Sequence, residues 1–467
     1  MTRPRSMLGG LTTRDAPPLD LPFRFFLTAL AAWAALALLA PWQAMLAQGS
    51  FTNPWLIVLV HVNTLGVIGA TIMGASYQLL PVVLQVPLAS VRLGRLSWWL
   101  FVPGVAAFLL GFSQGWALLL GLGGTLLVAA IWLYVGIVVR TLARSSHRDV
   151  VYWHLAAAVT GLATGAAVGL LLAVSGPGGL LAGLTFRVLA THVTLMLGAW
   201  VTPMLTGIAY RLVGMFTLSE DRLYLPTAWA ELALTVGGAW LLAAAILLGL
   251  GQSVSLVGAG ALILGLGLFA LQLGRLYRLR RRRTFDIHIP FAIVATTSGL
   301  LALGLVCYGL ASSRPASDSV WRAAGWLAIV GWAETAIQGF LYKIGAFLTW
   351  LHRYAPLAGR RRVPKLEDLY GRRTALLGWA AWSLGVGGGA VAILTGAAWL
   401  APLAGGALSL GLGALLVNAF RIGRHWRRAE SLPAAESGRQ AAPTSVTTGR
   451  SERLALTDSP QRADSLR

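Results

Sequence analysis

The stretch His61–Pro81, HVNTLGVIGATIMGASYQLLP, decides the fold, because its second half recurs twice further along the chain. The shared pattern is Gly-x-x-Tyr, followed by a polar or charged residue and then an aliphatic one. Its three copies are Gly74-x-x-Tyr77-Gln78-Leu79, Gly207-x-x-Tyr210-Arg211-Leu212 and Gly339-x-x-Tyr342-Lys343-Ile344. Successive tyrosines are 133 and 132 residues apart, which predicts that one larger structural unit is used three times.

The composition of the chain places these copies in membrane helices. Of its 467 residues, 57% are hydrophobic and 11% are charged, and so few charges would not cover a soluble protein of this length. Apolar runs long enough to cross about 30 Å of hydrocarbon recur throughout. We identify twelve, at approximately 22–47, 55–80, 97–113, 115–139, 151–174, 184–210, 225–250, 254–274, 287–311, 319–350, 375–399 and 401–421. The sequence therefore predicts an all-α integral membrane protein with twelve transmembrane helices.

The period divides the membrane domain, residues 22–421, into three units of four helices, at about 22–140, 150–275 and 287–421. Because four is an even number, all three units enter the membrane in the same orientation, as parallel pseudo-repeats. Residues 1–21 are interpreted as a polar cytoplasmic leader and 422–467 as a disordered basic cytoplasmic tail. Within each copy we expect the glycine to allow close helix approach, and the tyrosine to anchor the helix at the inner headgroup level.

The net charge of +21 is distributed very unevenly between the predicted loops. With the N-terminus inside, 34 of the 37 Lys and Arg residues fall on the cytoplasmic side, and only Arg187, Arg314 and Arg322 fall outside. This positive-inside bias predicts a multi-pass protein of a bacterial-type inner membrane with both termini in the cytoplasm. The basic loops are expected to contact anionic lipids at the inner face, and no nucleic-acid partner is expected.

Two histidines, His61 and His192, are predicted to lie at matching depth in the outer half of the membrane. An imidazole at that depth is costly unless it is paired or ligated, so both are candidate metal or cofactor ligands. The alternative is a hydrogen bond to a nearby hydroxyl such as Thr64 or Thr194. Met196 follows His192 by one turn, and it is either a soft second ligand or a packing residue.

Glu334 is the only acidic residue predicted near the middle of the membrane. It is either a proton-handling, and hence candidate catalytic, group or a neutral acid that forms a hydrogen bond between helices. The single cysteine, Cys307, excludes an intramolecular disulfide and any cysteine-based metal motif.

Twelve helices in three parallel arcs, with a histidine in an outside-to-inside helix 2, resemble subunit I of the haem–copper oxidases. The run from His61-x3-Leu65-Gly66 to Tyr77-Gln78-Leu79-Leu80-Pro81 is similar to helix 2 of divergent members of that superfamily. Two further runs are similar to motifs of the NnrS family, haem-containing membrane proteins linked to nitric oxide stress. They are Phe23-Arg24-Phe25-Phe26 and Tyr210-Arg211-Leu212-Val213-Gly214-Met215-Phe216-Thr217.

The resemblance implies that His61 matches a haem ligand of helix 2 and that His192 matches a copper ligand of helix 6. Helix 7 lacks the adjacent histidine pair of the oxidases, and helix 10 lacks their His-x-His. The resemblance therefore implies haem b but not copper. Arg187 and Arg322 are the candidates to hold the haem propionates, in place of arginines that the loop between helices 11 and 12 lacks.

Three functions follow as hypotheses. The first is a haem-binding membrane protein with a degenerate metal site, in electron transfer or oxygen or nitric oxide handling, with partner redox subunits. Whether such a protein is an oxidoreductase of the cytochrome c oxidase or nitric oxide reductase type is left open by the sequence. The second is a proton-coupled transporter without a cofactor, in which Glu334 handles the proton. The third is a scaffold that assembles respiratory complexes.

Overall fold

The computed structural model describes residues 17–51, 53–175, 179–282, 284, 286–312 and 317–428. These ranges are almost wholly helical, and no β-strand occurs within them. The twelve long helices are α1 Asp20–Ala47, α2 Pro54–Leu84, α3 Val91–Gln114, α4 Ala117–Arg144, α5 Val150–Ser175, α6 Thr185–Thr217, α7 Leu225–Leu248, α8 Gln252–Arg278, α9 His288–Ala311, α10 318–354, α11 Arg372–Thr395 and α12 Leu400–Arg428. The leader 1–21 lies mostly outside the described residues, and so does the tail predicted at 422–467, although α12 continues to Arg428.

Eleven of the helices in the described ranges are long and apolar enough to cross a membrane. The prediction of an all-α, multi-pass membrane protein is confirmed. The exception is α10, which is as long as the others but more polar, because it carries charged residues along its whole length. These are Asp318, Arg322, Glu334, Lys343 and Arg353.

The helices pack as antiparallel hairpins that join into one bundle. The tightest pairs are α3 with α4, α7 with α8 and α11 with α12. The first and last long helices also pack together, and the hydroxyl of Ser409 on α12 donates to the carbonyl of Ala37 on α1 at 2.7 Å. The bundle is therefore closed, since α1 is flanked by both α2 and α12.

The arginine-rich loops lie at one end of this bundle, which we call the basic end (residues 145–149, 279–282 and 355–371). Two hydrogen bonds tie these loops to helix termini. The hydroxyl of Ser145 donates to the carbonyl of Leu84, where α2 ends. The amide of Arg282 donates to the carbonyl of Thr217, where α6 ends.

Three helices share an irregularity that the sequence pattern did not reveal. Each of α2, α6 and α10 contains a π-helical segment, at Val62–Gly69, Thr194–Val201 and Leu327–Glu334. These segments begin 132 and 133 residues apart, close to the spacing of the tyrosines. A π-helical segment turns the side chains that follow it toward a new face of the helix, and such segments are frequent at functional sites.

The glycine of each copy allows close helix approach, as expected. A β-carbon at Gly74 would lie 2.8 Å from the Cβ of Phe25 on α1, and one at Gly339 would lie 2.5 Å from the Cβ of Phe291 on α9. At Gly207 it would lie 2.4 Å from the Cβ of His154 on α5. Because real side chains do not approach so closely, any larger residue would separate these helices.

The expectation that the tyrosines anchor the helices at the headgroup level is wrong. Tyr77, Tyr210 and Tyr342 are at most 3% exposed, and they lie inside the bundle. The hydroxyl of Tyr77 shares a hydrogen bond of 2.8 Å with Ser97 on α3. The motif therefore serves internal packing, because a phenol that reaches a polar group on a neighbouring helix is satisfied without water.

Candidate functional site

His61 and His192 have the same arrangement of hydrogen bonds. Nδ1 of His61 lies 2.8 Å from the carbonyl oxygen of Ile57, and Nδ1 of His192 lies 2.8 Å from that of Gly165. Because a carbonyl oxygen only accepts, Nδ1 carries the proton in both rings, and Nε2 of the neutral ring keeps its lone pair. No side chain or backbone group of the described residues bonds either Nε2. A ring fixed through Nδ1 on a carbonyl, with Nε2 free, is oriented as metal-binding histidines are.

The two rings pack against different neighbouring helices. The ring of His61 faces α3, with its centroid 4.9 Å from that of Phe108 and 6.1 Å from that of Phe112. The ring of His192 lies against α5, where a β-carbon at Gly169 would be 2.7 Å from it. Both residues are half-buried.

The alternative in which nearby hydroxyls satisfy the histidines does not hold for Thr64 and Thr194. The hydroxyl of Thr64 donates to the carbonyl of Val60 at 2.9 Å, within its own helix. That of Thr194 donates to the carbonyl of Ala190 at 2.8 Å. The partners of the imidazoles are therefore backbone carbonyls, and they occupy only one nitrogen of each ring.

Of the other predicted site residues, only Met196 lies beside a histidine. Its sulfur packs against Gly165, whose carbonyl binds His192. Arg187 belongs to α6, and its guanidinium reaches the turn between α7 and α8. A β-carbon at Gly249, in that turn, would lie 2.9 Å from the guanidinium. Arg322 lies 5.7 Å from the ring of Phe51, in the loop between α1 and α2. Among the described contacts, neither arginine touches a histidine.

Glu334 faces α1, away from the contacts that the two histidines make. Its carboxyl group is completely buried, and the indole of Trp33 donates to Oε2 at 3.4 Å. Oε1 has no partner among the described residues. The next residue, Thr335, accepts a hydrogen bond from the indole of Trp382 at 2.8 Å. One indole thus bonds Glu334 and another bonds its neighbour Thr335, and no described contact joins Glu334 to His61 or His192.

A second polar cluster, built around Glu231, was not recognised in the sequence. Nε2 of His154 lies 2.7 Å from Oε2 of Glu231, and Nδ1 of His154 donates to the carbonyl of Val150. The hydroxyls of Tyr210 and Thr235 donate to the same carboxyl group, at 3.1 and 3.2 Å. Since Nδ1 of His154 carries a proton, one further proton is shared across the pair, which is neutral overall. Such a neutral, fully bonded group is the form in which titratable side chains persist in a membrane bundle.

The histidine pair fits a haem iron better than a bare metal ion. No group of three His, Cys, Asp or Glu side chains that could hold a metal ion occurs in the described ranges. A bare ion needs several protein ligands, whereas a porphyrin supplies four nitrogens and leaves only axial positions to the protein. Two imidazoles with free Nε2 atoms, and a methionine nearby, are axial ligands of the usual kinds.

Comparisons with known proteins do not assign the chain to a family. No protein-family model matches it, and a search of the curated proteins finds no match. The structure itself shows an all-α, multi-pass membrane protein in which His61 and His192, both half-buried, each keep Nε2 without a partner among the described residues.

Proposed function

We propose that the chain is a haem-binding membrane protein of the haem–copper oxidase subunit I type with a degenerate metal site. Its function would be electron transfer or oxygen or nitric oxide handling, together with redox subunits. One observation carries the proposal: in both His61 and His192 a backbone carbonyl fixes Nδ1, while Nε2 has no partner among the described residues. An imidazole that needed only a hydrogen bond would have no reason to keep its second nitrogen open inside lipid.

In this proposal the membrane domain has twelve spans, with α10 as the twelfth, in three parallel units of four helices. The spacing of the π-helical segments supports a repeat, because π-helical segments are rare and three at one period are not expected by chance. The contacts of Gly74, Gly207 and Gly339 support it as well, since each glycine approaches the helix that opens its own unit. The basic end would face the cytoplasm of a bacterial-type inner membrane, with both termini inside and anionic lipids at the loops.

The residues of the chain would hold and shield the group. His61 and His192 would hold the group through Nε2, and the carbonyls of Ile57 and Gly165 would keep both rings in the required tautomer. The rings of Phe108 and Phe112 would exclude water beside His61. A bound haem would supply a redox-active iron. Copper is not part of the proposal, because α7 carries no histidine and the one histidine of α10, His352, lies in its last turn at the basic end.

The proposal is tested by the absorbance spectrum of the purified chain from haem-replete cells. We expect a Soret band, and α and β bands on reduction, all of which His61→Ala strongly weakens. The matched control is His147→Ala, which removes an exposed histidine at the basic end and should leave the spectrum unchanged. A colourless, fully folded wild-type protein would refute the proposal.

A second function, proton-coupled transport, is favoured by Glu334 alone. A buried carboxyl group with an unpartnered oxygen is costly in a membrane bundle unless it exchanges protons or binds a ligand. In proteoliposomes, a transporter would acidify its lumen when substrate is supplied, and Glu334→Gln would abolish that signal. Wild-type proton flux in Glu334→Gln would exclude this function for the residue.

A further inference from the structure

Four helices bring a further group of polar side chains, separate from the Glu231 cluster, together at the basic end. Lys343 of α10 is completely buried and forms an ion pair with Asp286, just before α9. His288, which is 1% exposed, lies with Nδ1 3.9 Å from Oδ1 of the same aspartate. The phenol ring of Tyr277, near the end of α8, has its centroid 5.9 Å from that of His288. We call Tyr277, Arg280, His288 and Lys343 the inner cluster.

The inner cluster has more hydrogen-bond donors than the described residues can satisfy. The hydroxyl of Tyr277, Nε of Arg280 and both ring nitrogens of His288 are buried without a hydrogen-bond partner in the described chain. The ammonium group of Lys343 has three N–H donors, and its one anionic partner is Asp286. A buried polar atom without a partner costs about 1–3 kcal/mol, so four such atoms in one place require an explanation.

The charge of the inner cluster is positive. Lys343 and Arg280 are cations, and Asp286 forms the ion pair with Lys343. Asp286 is already committed, because its Oδ1 accepts the amide of Ile287 at 2.9 Å. Arg282, two residues beyond Arg280, lies 3.7 Å from Glu367. An electropositive site with donors from lysine, arginine and tyrosine is complementary to an oxyanion, since such groups form charge-assisted hydrogen bonds with phosphate oxygens.

Aromatic walls strengthen this complementarity. The ring of Phe216, near the end of α6, lies 5.2 Å from the ammonium of Lys343 and 6.2 Å from the ring of His288. Phe340 stacks on the other side of His288 at 5.8 Å. Excluding water from around the donors makes each bond to a charged ligand stronger. The edge of the site remains accessible, because Arg280 and Asp286 are only partly buried.

We propose that the inner cluster binds a phosphate group at the basic end of the bundle, carried either by an anionic lipid headgroup or by free phosphate. Tyr277, Arg280 and His288 would donate to its oxygens, and Lys343 would do so while keeping its bond to Asp286. The proposal does not depend on haem binding, because none of these residues contacts His61 or His192.

The test uses the purified full chain and two variants. Calorimetric titration with inorganic phosphate measures free-phosphate binding. Native mass spectrometry, after transfer from phosphatidylglycerol or phosphatidylcholine nanodiscs, measures retained lipid. Tyr277→Phe removes only a hydroxyl that has no partner, so it should fold normally and weaken binding of either source about tenfold. Lys343→Gln should abolish binding. The control is Arg211→Gln, at the matching position of the second copy, which should bind as the wild type does.

The outcomes separate the sources. Phosphate binding without retained phosphatidylglycerol identifies free phosphate as the ligand, and the reverse result identifies the lipid headgroup. Wild-type protein that binds neither overturns the proposal. It is also overturned if Tyr277→Phe binds as tightly as the wild type, because the unpartnered hydroxyl would then have no ligand to serve.

Discussion

Replacing Glu231 by alanine tests whether the buried cluster of α5, α6 and α7 holds these helices together. We predict that Glu231→Ala lowers the free energy of unfolding by about 3–5 kcal/mol, the usual cost of removing one member of a buried pair. The carboxyl group is completely buried, so water does not replace it. The variant keeps the backbone and changes nothing at the surface of the bundle.

The magnitude follows from the contacts that are lost. Glu231 is 2.7 Å from His154, and it accepts from Tyr210 at 3.1 Å and from Thr235 at 3.2 Å. Each partner left unsatisfied in the interior costs about 1–3 kcal/mol. Three such losses sum to about 3–9 kcal/mol, and the lower part of that range coincides with the cost of breaking the pair.

Replacing Glu231 by glutamine tests whether the hydrogen bonds of the side chain, and not its carboxyl group as such, stabilise the protein. With its amide nitrogen in the place of Oε2, glutamine can donate to the unprotonated Nε2 of His154 and to the hydroxyl oxygen of Tyr210, while its carbonyl oxygen accepts from Thr235. Because only the O–H of Tyr210 loses its acceptor, Glu231→Gln should cost about 1–3 kcal/mol, less than Glu231→Ala.

The assay is reversible denaturant unfolding of the purified protein in mild detergent. The control is Asp318→Ala, which removes an acidic side chain that is 71% exposed and should change stability by no more than about 0.5 kcal/mol. The reasoning is refuted if Glu231→Ala is as stable as this control, or if Gln and Ala at position 231 cost the same.

Two further predictions use the same unfolding assay. Gly207→Ala should destabilise the protein by about 1–3 kcal/mol, since its β-carbon would lie 2.4 Å from that of His154, whereas Gly237→Ala, with no atom within 4 Å, should be neutral. Burial would raise the pKa of Asp286, but the neighbouring His288 and the charge of the paired Lys343 outweigh it and lower that pKa. The stability that this carboxylate contributes is therefore present above the usual aspartate pKa of about 4 and is lost as the pH falls below it. Asp286→Asn should abolish this part of the acid sensitivity, and an unchanged pH profile would contradict the assignment.

The membrane helices could be predicted from the sequence because length and apolarity are local properties of a segment. Eleven predicted spans reappear as long apolar helices with ends close to those expected. The helix that contains Glu334 was also predicted, although its charged residues make it too polar to be one of those eleven apolar helices. The close approach at Gly74 could be predicted as well, since a residue without a β-carbon has few other uses in a membrane helix.

The pairing of side chains between helices could not be predicted in this way. His154 and Glu231 are 77 residues apart, and only the packing of α5 against α7 brings them together. Tyr77 has the composition of an interfacial anchor, yet it is buried because α3 covers it. The π-helical segments were also missed, because they change the face that later residues present while leaving hydropathy unchanged.

The contact between α1 and α12 has a consequence for biogenesis. Helix α1 leaves the ribosome well before α12, yet the two helices pack against each other. Until α12 is inserted, the flank of α1 around Ala37 must be covered by lipid or by an insertion factor. The packing of α12 against α1 is therefore the step that completes the bundle. A nascent chain truncated before Leu400 should remain open to proteases that the finished protein resists.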